Sequence, residues 1–268
     1  MPEVTSFAPG FPAWVELASP DPERSKEFYR DLFGWYSYTL TVGIAEYEIF
    51  TLGGIQGPAV GGMQALADDS QPSSWTCYFR TDDIPATLDT VRAEGGMVLA
   101  EQTDVVGLGQ MALCCDLEGA DFALWRPYRP QGAGVVDEPA AMCWVELACR
   151  DIRGARRFYG GVFGWKAVER HYYHARYTEW KIGDRPVAGM VPIDEHWPPG
   201  YPPHWIPYFW VADCDESAAK AVELGGRVQI PPSDVKPGRF CVLTAPDGAR
   251  VALVTPAVPD RIALRIHP

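Results

Sequence analysis

Two glutamates stand where a carboxylate is hardest to explain. Glu16 lies in Trp14-Val15-Glu16-Leu17-Ala18 and Glu146 in Trp144-Val145-Glu146-Leu147-Ala148, each in mid-run among apolar, strand-like residues. Taking a carboxylate out of water is costly unless it is paired or hydrogen-bonded. Apolar surroundings raise its pKa toward neutrality, which suits proton transfer to or from a bound molecule. The competing reading is structural, a glutamate satisfied by backbone or by a tyrosine hydroxyl. Arg80 offers Glu16 an ion-pair partner, whereas Trp210 holds the matching position for Glu146. Glu146 is therefore the stronger candidate for proton transfer or ligand anchoring.

The elements that must hold these residues occur twice. Trp14, Asp21, Phe28-Tyr29 and Phe33-Gly34-Trp35 return as Trp144, Asp151, Phe158-Tyr159 and Phe163-Gly164-Trp165, at a constant offset (144 − 14 = 130; 165 − 35 = 130). A repeat of this period marks two copies of one domain. In the first copy, residues 13–17 alternate as a strand. Asp21 caps a helix with Pro22 at its first position, and Gly34 ends it. Strands near 35–40, 46–52 and 58–64 follow, punctuated by Gly-Gly at 53–54 and 61–62. Residues 73–129 repeat the same βαβββ order, with a helix over 83–94 stopped by Gly95-Gly96. The predicted domains are 11–129 (units 11–66 and 73–129) and 139–256 (units 139–193 and 204–256). A linker spans 130–138 and an irregular tail 257–268.

Composition narrows the function classes. With 23 Lys+Arg against 35 Asp+Glu, the net charge of −12 argues against nucleic acid or an anionic membrane as partner. No basic, apolar leader and no run of about 18 apolar residues is present, so a cytoplasmic protein is expected. The seven Cys lack C-x-x-C spacing and read as reduced core thiols. Cys114-Cys115 reads as strand interior rather than nucleophile.

Four βαβββ units in two pairs, with Phe28-Tyr29…Phe33-Gly34-Trp35 and its repeat, Gly-Gly at 95–96 and 225–226, and Pro246-Asp247-Gly248 before the last strand, resemble the vicinal oxygen chelate superfamily. This is the fold of glyoxalase I, extradiol dioxygenases and bleomycin-resistance proteins. The first domain carries a degenerate last turn, Leu117-Glu118-Gly119. W-V-E-L joined to F-Y…F-G-W is similar to a tandem-domain actinobacterial group of glyoxalase-family or hydroxylase type. The resemblance implies an α+β fold of two tandem domains. In each, paired βαβββ units form a cupped mixed sheet with helices outside.

It also implies metal ligands on the first strand of each unit and on the last strand. Those positions fall on Trp14, Thr76 and Ala123, and in the repeat on Trp144, Ile206 and Ala252. Only Thr76 offers an oxygen, so no metal and no cofactor is expected. A glyoxalase- or dioxygenase-type metalloenzyme remains the alternative. Alternation places Trp14, Glu16, Tyr78, Arg80 and Trp125 in one cup and Trp144, Glu146, Tyr208 and Trp210 in the other. Such cups suit an aromatic or polycyclic small molecule, unless the rings fill the cups themselves. His171 and His174, in a Tyr-rich segment, either sit solvated in a loop or join the Pro-rich stretch 198–203 as a lid over the second cup. A monomer or a homodimer is compatible with two domains in one chain. The expected function is to act on or sequester an aromatic or polyketide-like natural product.

Overall fold

The computed structural model describes the chain except residues 1–3, 5, 43–44, 67, 69–70, 106, 129–131, 173–174, 196 and 258–268. Most of the tail and part of the linker therefore lie outside the described residues. The first half runs β1 (Pro12–Ser19), α1 (Pro22–Phe33), β2 (Tyr36–Val42), β3 (Ala45–Thr51), β4 (Ala59–Ala65), β5 (Ser74–Arg80), α2 (Ile84–Ala93), β6 (Met97–Val105), β7 (Gly109–Cys115) and β8 (Asp121–Pro127). The second half repeats it: β9 (Met142–Cys149), α3 (Ile152–Phe163), β10 (Lys166–Tyr172), β11 (Ala175–Ile182), β12 (Arg185–Pro192), β13 (His204–Trp210), α4 (Cys214–Glu223), β14 (Arg227–Val235), β15 (Gly238–Thr244) and β16 (Arg250–Pro256).

Each half forms one mixed eight-stranded sheet. The orders are β2-β3-β4-β1-β5-β8-β7-β6 and β10-β11-β12-β9-β13-β16-β15-β14. The strands that open the units, β1 beside β5 and β9 beside β13, are central and antiparallel. This is the tandem α+β architecture the resemblance implies.

Local chemistry explains the helices. Asp21, Asp83, Asp151 and Asp213 each accept a hydrogen bond from the backbone N–H three residues on, satisfying an orphan donor of the first turn. The fourth helix thus begins at Cys214. Gly34 and Gly164 close α1 and α3 at φ 74° and 69°, a left-handed conformation costly for any residue with a Cβ.

The Phe-Gly-Trp repeats dock the two halves reciprocally. The Trp35 indole donates to the Ala140 carbonyl at 2.8 Å, and the Trp165 indole to the Gly10 carbonyl at 3.0 Å. Phe33 packs on Phe209 and Phe163 on Phe79, both with ring centroids 5.2 Å apart. One apolar core runs through both halves and includes Val15, Leu17, Phe79, Phe122 and Leu124, as alternation requires. The opposite sheet faces are left free to form the cups.

Candidate functional site

Pairing register fixes the floor of each cup. On the first sheet Trp14 lies opposite Tyr78, and Tyr78 beside Ala123. Glu16 lies opposite Thr76 and beside Gly62. On the second sheet the same rows are Trp144–Tyr208–Ala252 and Gly189–Glu146–Ile206. Each glutamate is therefore central, flanked by aromatic residues on its own strand and the next.

Sequence reading missed the partner that organises each cup. The Trp14 indole donates to the Tyr47 hydroxyl at 3.0 Å, and the Trp144 indole to the Tyr177 hydroxyl at 2.8 Å. Both tyrosines sit on the third strand of their sheet and hydrogen-bond the glutamate. They reach it by crossing Gly62 and Gly189, where any Cβ would overlap the hydroxyl. Gly61-Gly62 is thus not punctuation but lies inside β4, with Gly62 the gap through which Tyr47 passes. The signal was available: Tyr47 and Tyr177 obey the same repeat offset (177 − 47 = 130).

The two cups then diverge. Tyr208 donates to Glu146 Oε1 at 2.8 Å. Its counterpart Tyr78 also turns its buried hydroxyl toward Glu16, but it is less well placed there than Tyr208 is on Glu146. Gln64 instead donates to Glu16 Oε1 at 2.9 Å. Glu16 is 8% exposed, whereas Glu146 keeps a partly exposed surface. Burial raises the pKa of both carboxyls, and tyrosine hydrogen bonds to the charged form only partly offset it. Glu146 is pushed up to about 7. Burial, followed by the glutamate's charge, holds Tyr47, Tyr78 and Tyr208 well above the ordinary phenol range, so they remain donors. A partly accessible carboxyl that titrates near neutrality between two phenols can take up or release a proton at a bound molecule.

Other expectations are corrected. Arg80 pairs with Asp82 at 2.5 Å and not with Glu16. Thr76, not Arg80, is opposite Glu16, and Arg80 lies four residues along the strand, about 13 Å away. Trp125 covers Gly109 at the far side of the first cup. Trp210 joins the apolar cluster of Ile206, Tyr208, Val242, Ala252 and Val254, so the second cup is partly lined by its own side chains. His171 is not in a loop. It lies in β10, an edge strand, opposite Arg176 of β11, about 14 Å across the sheet and three residues along it from Glu146. His174 lies outside the described residues. All seven cysteines are buried, and burial lifts the Cys114 thiol to about 12, which disfavours a nucleophilic thiolate.

The donor set does not fit the family's divalent metal. Indole, sec-butyl and methyl groups occupy five of the six ligand positions, and Thr76 alone supplies an oxygen. Among the described residues no three His, Cys, Asp or Glu side chains converge.

The profile of the Glyoxalase/Bleomycin resistance protein/Dioxygenase superfamily matches residues 12–124 and 141–253. The anthracycline biosynthesis protein DnrV of Streptomyces peucetius is 38% identical over 263 residues, covering 94% of this chain and 95% of its own length. DauV of Streptomyces sp. (strain C5), also an anthracycline biosynthesis protein, is 37% identical with the same coverage. Among solved structures, 2,2',3-trihydroxybiphenyl 1,2-dioxygenase from Sphingomonas wittichii superposes with a TM-score of 0.64 at 14% identity, covering 95% of this chain and 93% of that one. The Mn(II)-bound glyoxalase of Novosphingobium aromaticivorans gives 0.63 at 13% identity, covering 92% and 82%. At these identities the structural likeness concerns the fold alone.

Proposed function

Since the chain belongs to the Glyoxalase/Bleomycin resistance protein/Dioxygenase superfamily, we propose that it acts on an aromatic, polyketide-like molecule in natural-product biosynthesis, without the family's metal. Glu146 is the proton-transfer group. The observation that carries this reading is the Trp144–Tyr177–Glu146–Tyr208 array: a carboxyl with pKa about 7, oriented by two phenols at the centre of an aromatic cup. Trp144 and Tyr208 present flat faces to a ring. The Tyr177 and Tyr208 hydroxyls orient the carboxyl and stabilise its charged form. Glu146 accepts a proton from an acidic carbon or hydroxyl of the bound molecule, or returns one. Descent alongside two anthracycline biosynthesis proteins supports the substrate class.

A second reading has its own support. The apolar cluster in the second cup leaves a lining suited to holding a hydrophobic ring, and a carrier or sequestering protein needs no chemistry beyond that. Glu146→Gln separates the two. An enzyme loses turnover by about 10²-fold or more with little change in affinity. A binder has no turnover to lose and weakens modestly. Metal analysis of the isolated protein tests the donor-set argument: about one tightly held equivalent per chain would make a metal-dependent lyase or oxygenase the better reading.

A further inference from the structure

At one end of the second cup the chain leaves two arginines without carboxylate partners. Arg250 opens β16 on the same face as Ala252 and Val254, which line the cup. Its guanidinium stacks 4.4 Å from the centroid of Tyr201. Its Nη1 is buried and has no hydrogen-bond acceptor. Arg150, just beyond β9, spends one N–H on the Tyr201 carbonyl at 2.5 Å. Among the described residues neither guanidinium meets an Asp or Glu, although acidic residues outnumber basic ones by twelve. Arg30, Arg80, Arg92, Arg156, Arg170 and Arg239 pair with carboxylates and Arg126 donates to Gln110, whereas Arg250 stands out for a buried Nη1 with no acceptor.

The surroundings hold these charges in place without neutralising them. Tyr201 sits in the Pro-rich loop before β13, closed by the Tyr201 N–H to the Pro198 carbonyl at 3.1 Å. Its ring lies between Arg250 and His204, whose ring centroid is 5.4 Å away. Burial, and more weakly the charge of Arg250, lower the His204 pKa to about 4, so the imidazole is neutral. A desolvated guanidinium with an open donor favours an anion, and its planar fork matches a carboxylate. Arg250 lies two strands from Glu146, about 10 Å across the sheet. That span suits an anionic group at one end of a fused-ring molecule whose other end lies over the carboxyl. The matching position on the first sheet, two residues before Ala123, is Asp121, an exposed acid.

We infer that Arg250, supported by Arg150 and oriented by Tyr201, is an anion subsite of the second cup that selects ring systems bearing a carboxylate. The first cup, with Asp121 there, rejects them. This rests on the reading of the second cup as an aromatic-binding site.

The test uses the full chain and a matched pair of probes, anthraquinone-2-carboxylate and its methyl ester, titrated by tryptophan fluorescence quenching. The expected result is a carboxylate bound at least about tenfold tighter than the ester, at one equivalent per chain, with a preference that weakens as salt rises. Arg250→Met removes the preference while leaving ester affinity within about twofold, and Arg250→Lys retains part of it. Equal affinity of acid and ester in the wild type overturns the anion subsite alone, as does a preference unchanged in Arg250→Met. Failure of both probes to bind overturns the aromatic-cup reading itself. Should Arg250→Met not fold, the salt dependence of the wild type decides, because an ester and an acid bound without a cationic partner respond alike.

Discussion

Glu146 is distinguished less by its identity than by its balance of forces. Burial raises its pKa, and the hydrogen bonds from Tyr208 and Tyr177 stop the rise at about 7. Carbonyl NMR or infrared titration is expected to show a carboxyl midpoint near 7 that disappears in Glu146→Gln and moves upward in Tyr208→Phe. A midpoint near the ordinary 4.5 would remove Glu146 from the mechanism. The folded carboxyl holds its proton more tightly than the unfolded one. Stability is therefore highest below about pH 4.5 as far as this group is concerned. It declines as pH rises to about 7 and is flat above. Allowing for its partial exposure, the decline is on the order of 2 kcal/mol. Chemical denaturation of wild type and Glu146→Gln across that window checks it: the slope is expected to flatten in the variant.

At the scale of the element, a strand without a side chain decides what its neighbour can reach. β4 and β12 pair with the glutamate-bearing strands through Gly62 and Gly189, and the third strand sends a tyrosine over the gap. Gly189→Ala is expected to displace Tyr177 from both Trp144 and Glu146. The cost from overpacking is about 1–3 kcal/mol, with a further rise in the Glu146 titration midpoint. Gly57→Ala, outside the cups, is the wrong control because its Cβ would meet backbone. Gly164→Ala, whose Cβ meets nothing, separates backbone strain from cup chemistry: it should lower the melting temperature and leave the titration where it was. If Gly189→Ala leaves the midpoint unmoved, Tyr177 does not organise the carboxyl.

Taken whole, the molecule is two sheets joined by what the repeat motif builds. Phe209 has no exposed surface and packs 5.2 Å from Phe33, 5.2 Å from Trp35 and 5.5 Å from Trp75 across the junction. Phe209→Ala is expected to cost about 3–5 kcal/mol. Calorimetry of the wild type should show one cooperative transition, since the apolar core is continuous through both halves. Two well-separated wild-type transitions would mean that the Phe-Gly-Trp contacts are weak. The same core explains why the cups face away from the junction: each sheet spends one face on the shared interior and leaves the other, with its glutamate, clear of it. Among the described residues no helix is long and apolar enough to cross a membrane.

Period and alternation were legible in the chain itself. The 130-residue offset gave the tandem fold, Asp and Gly marked the helix ends, and alternation put Glu16, Glu146, Trp14, Trp144, Tyr78 and Tyr208 on one face of their sheets. These are local or repeated signals, fixed by backbone geometry within a few residues. What the sequence could not supply is which side chains meet from different strands. The contact of Tyr177 with Trp144 joins residues 33 apart. That of Arg250 with Tyr201 depends on how a Pro-rich loop settles on a strand end. Arg80 shows the same limit from the other side: sharing a face with Glu16 did not make it a neighbour, because register placed Thr76 opposite and left Arg80 to Asp82. Such contacts follow from strand order and stagger, which only the packed sheet determines.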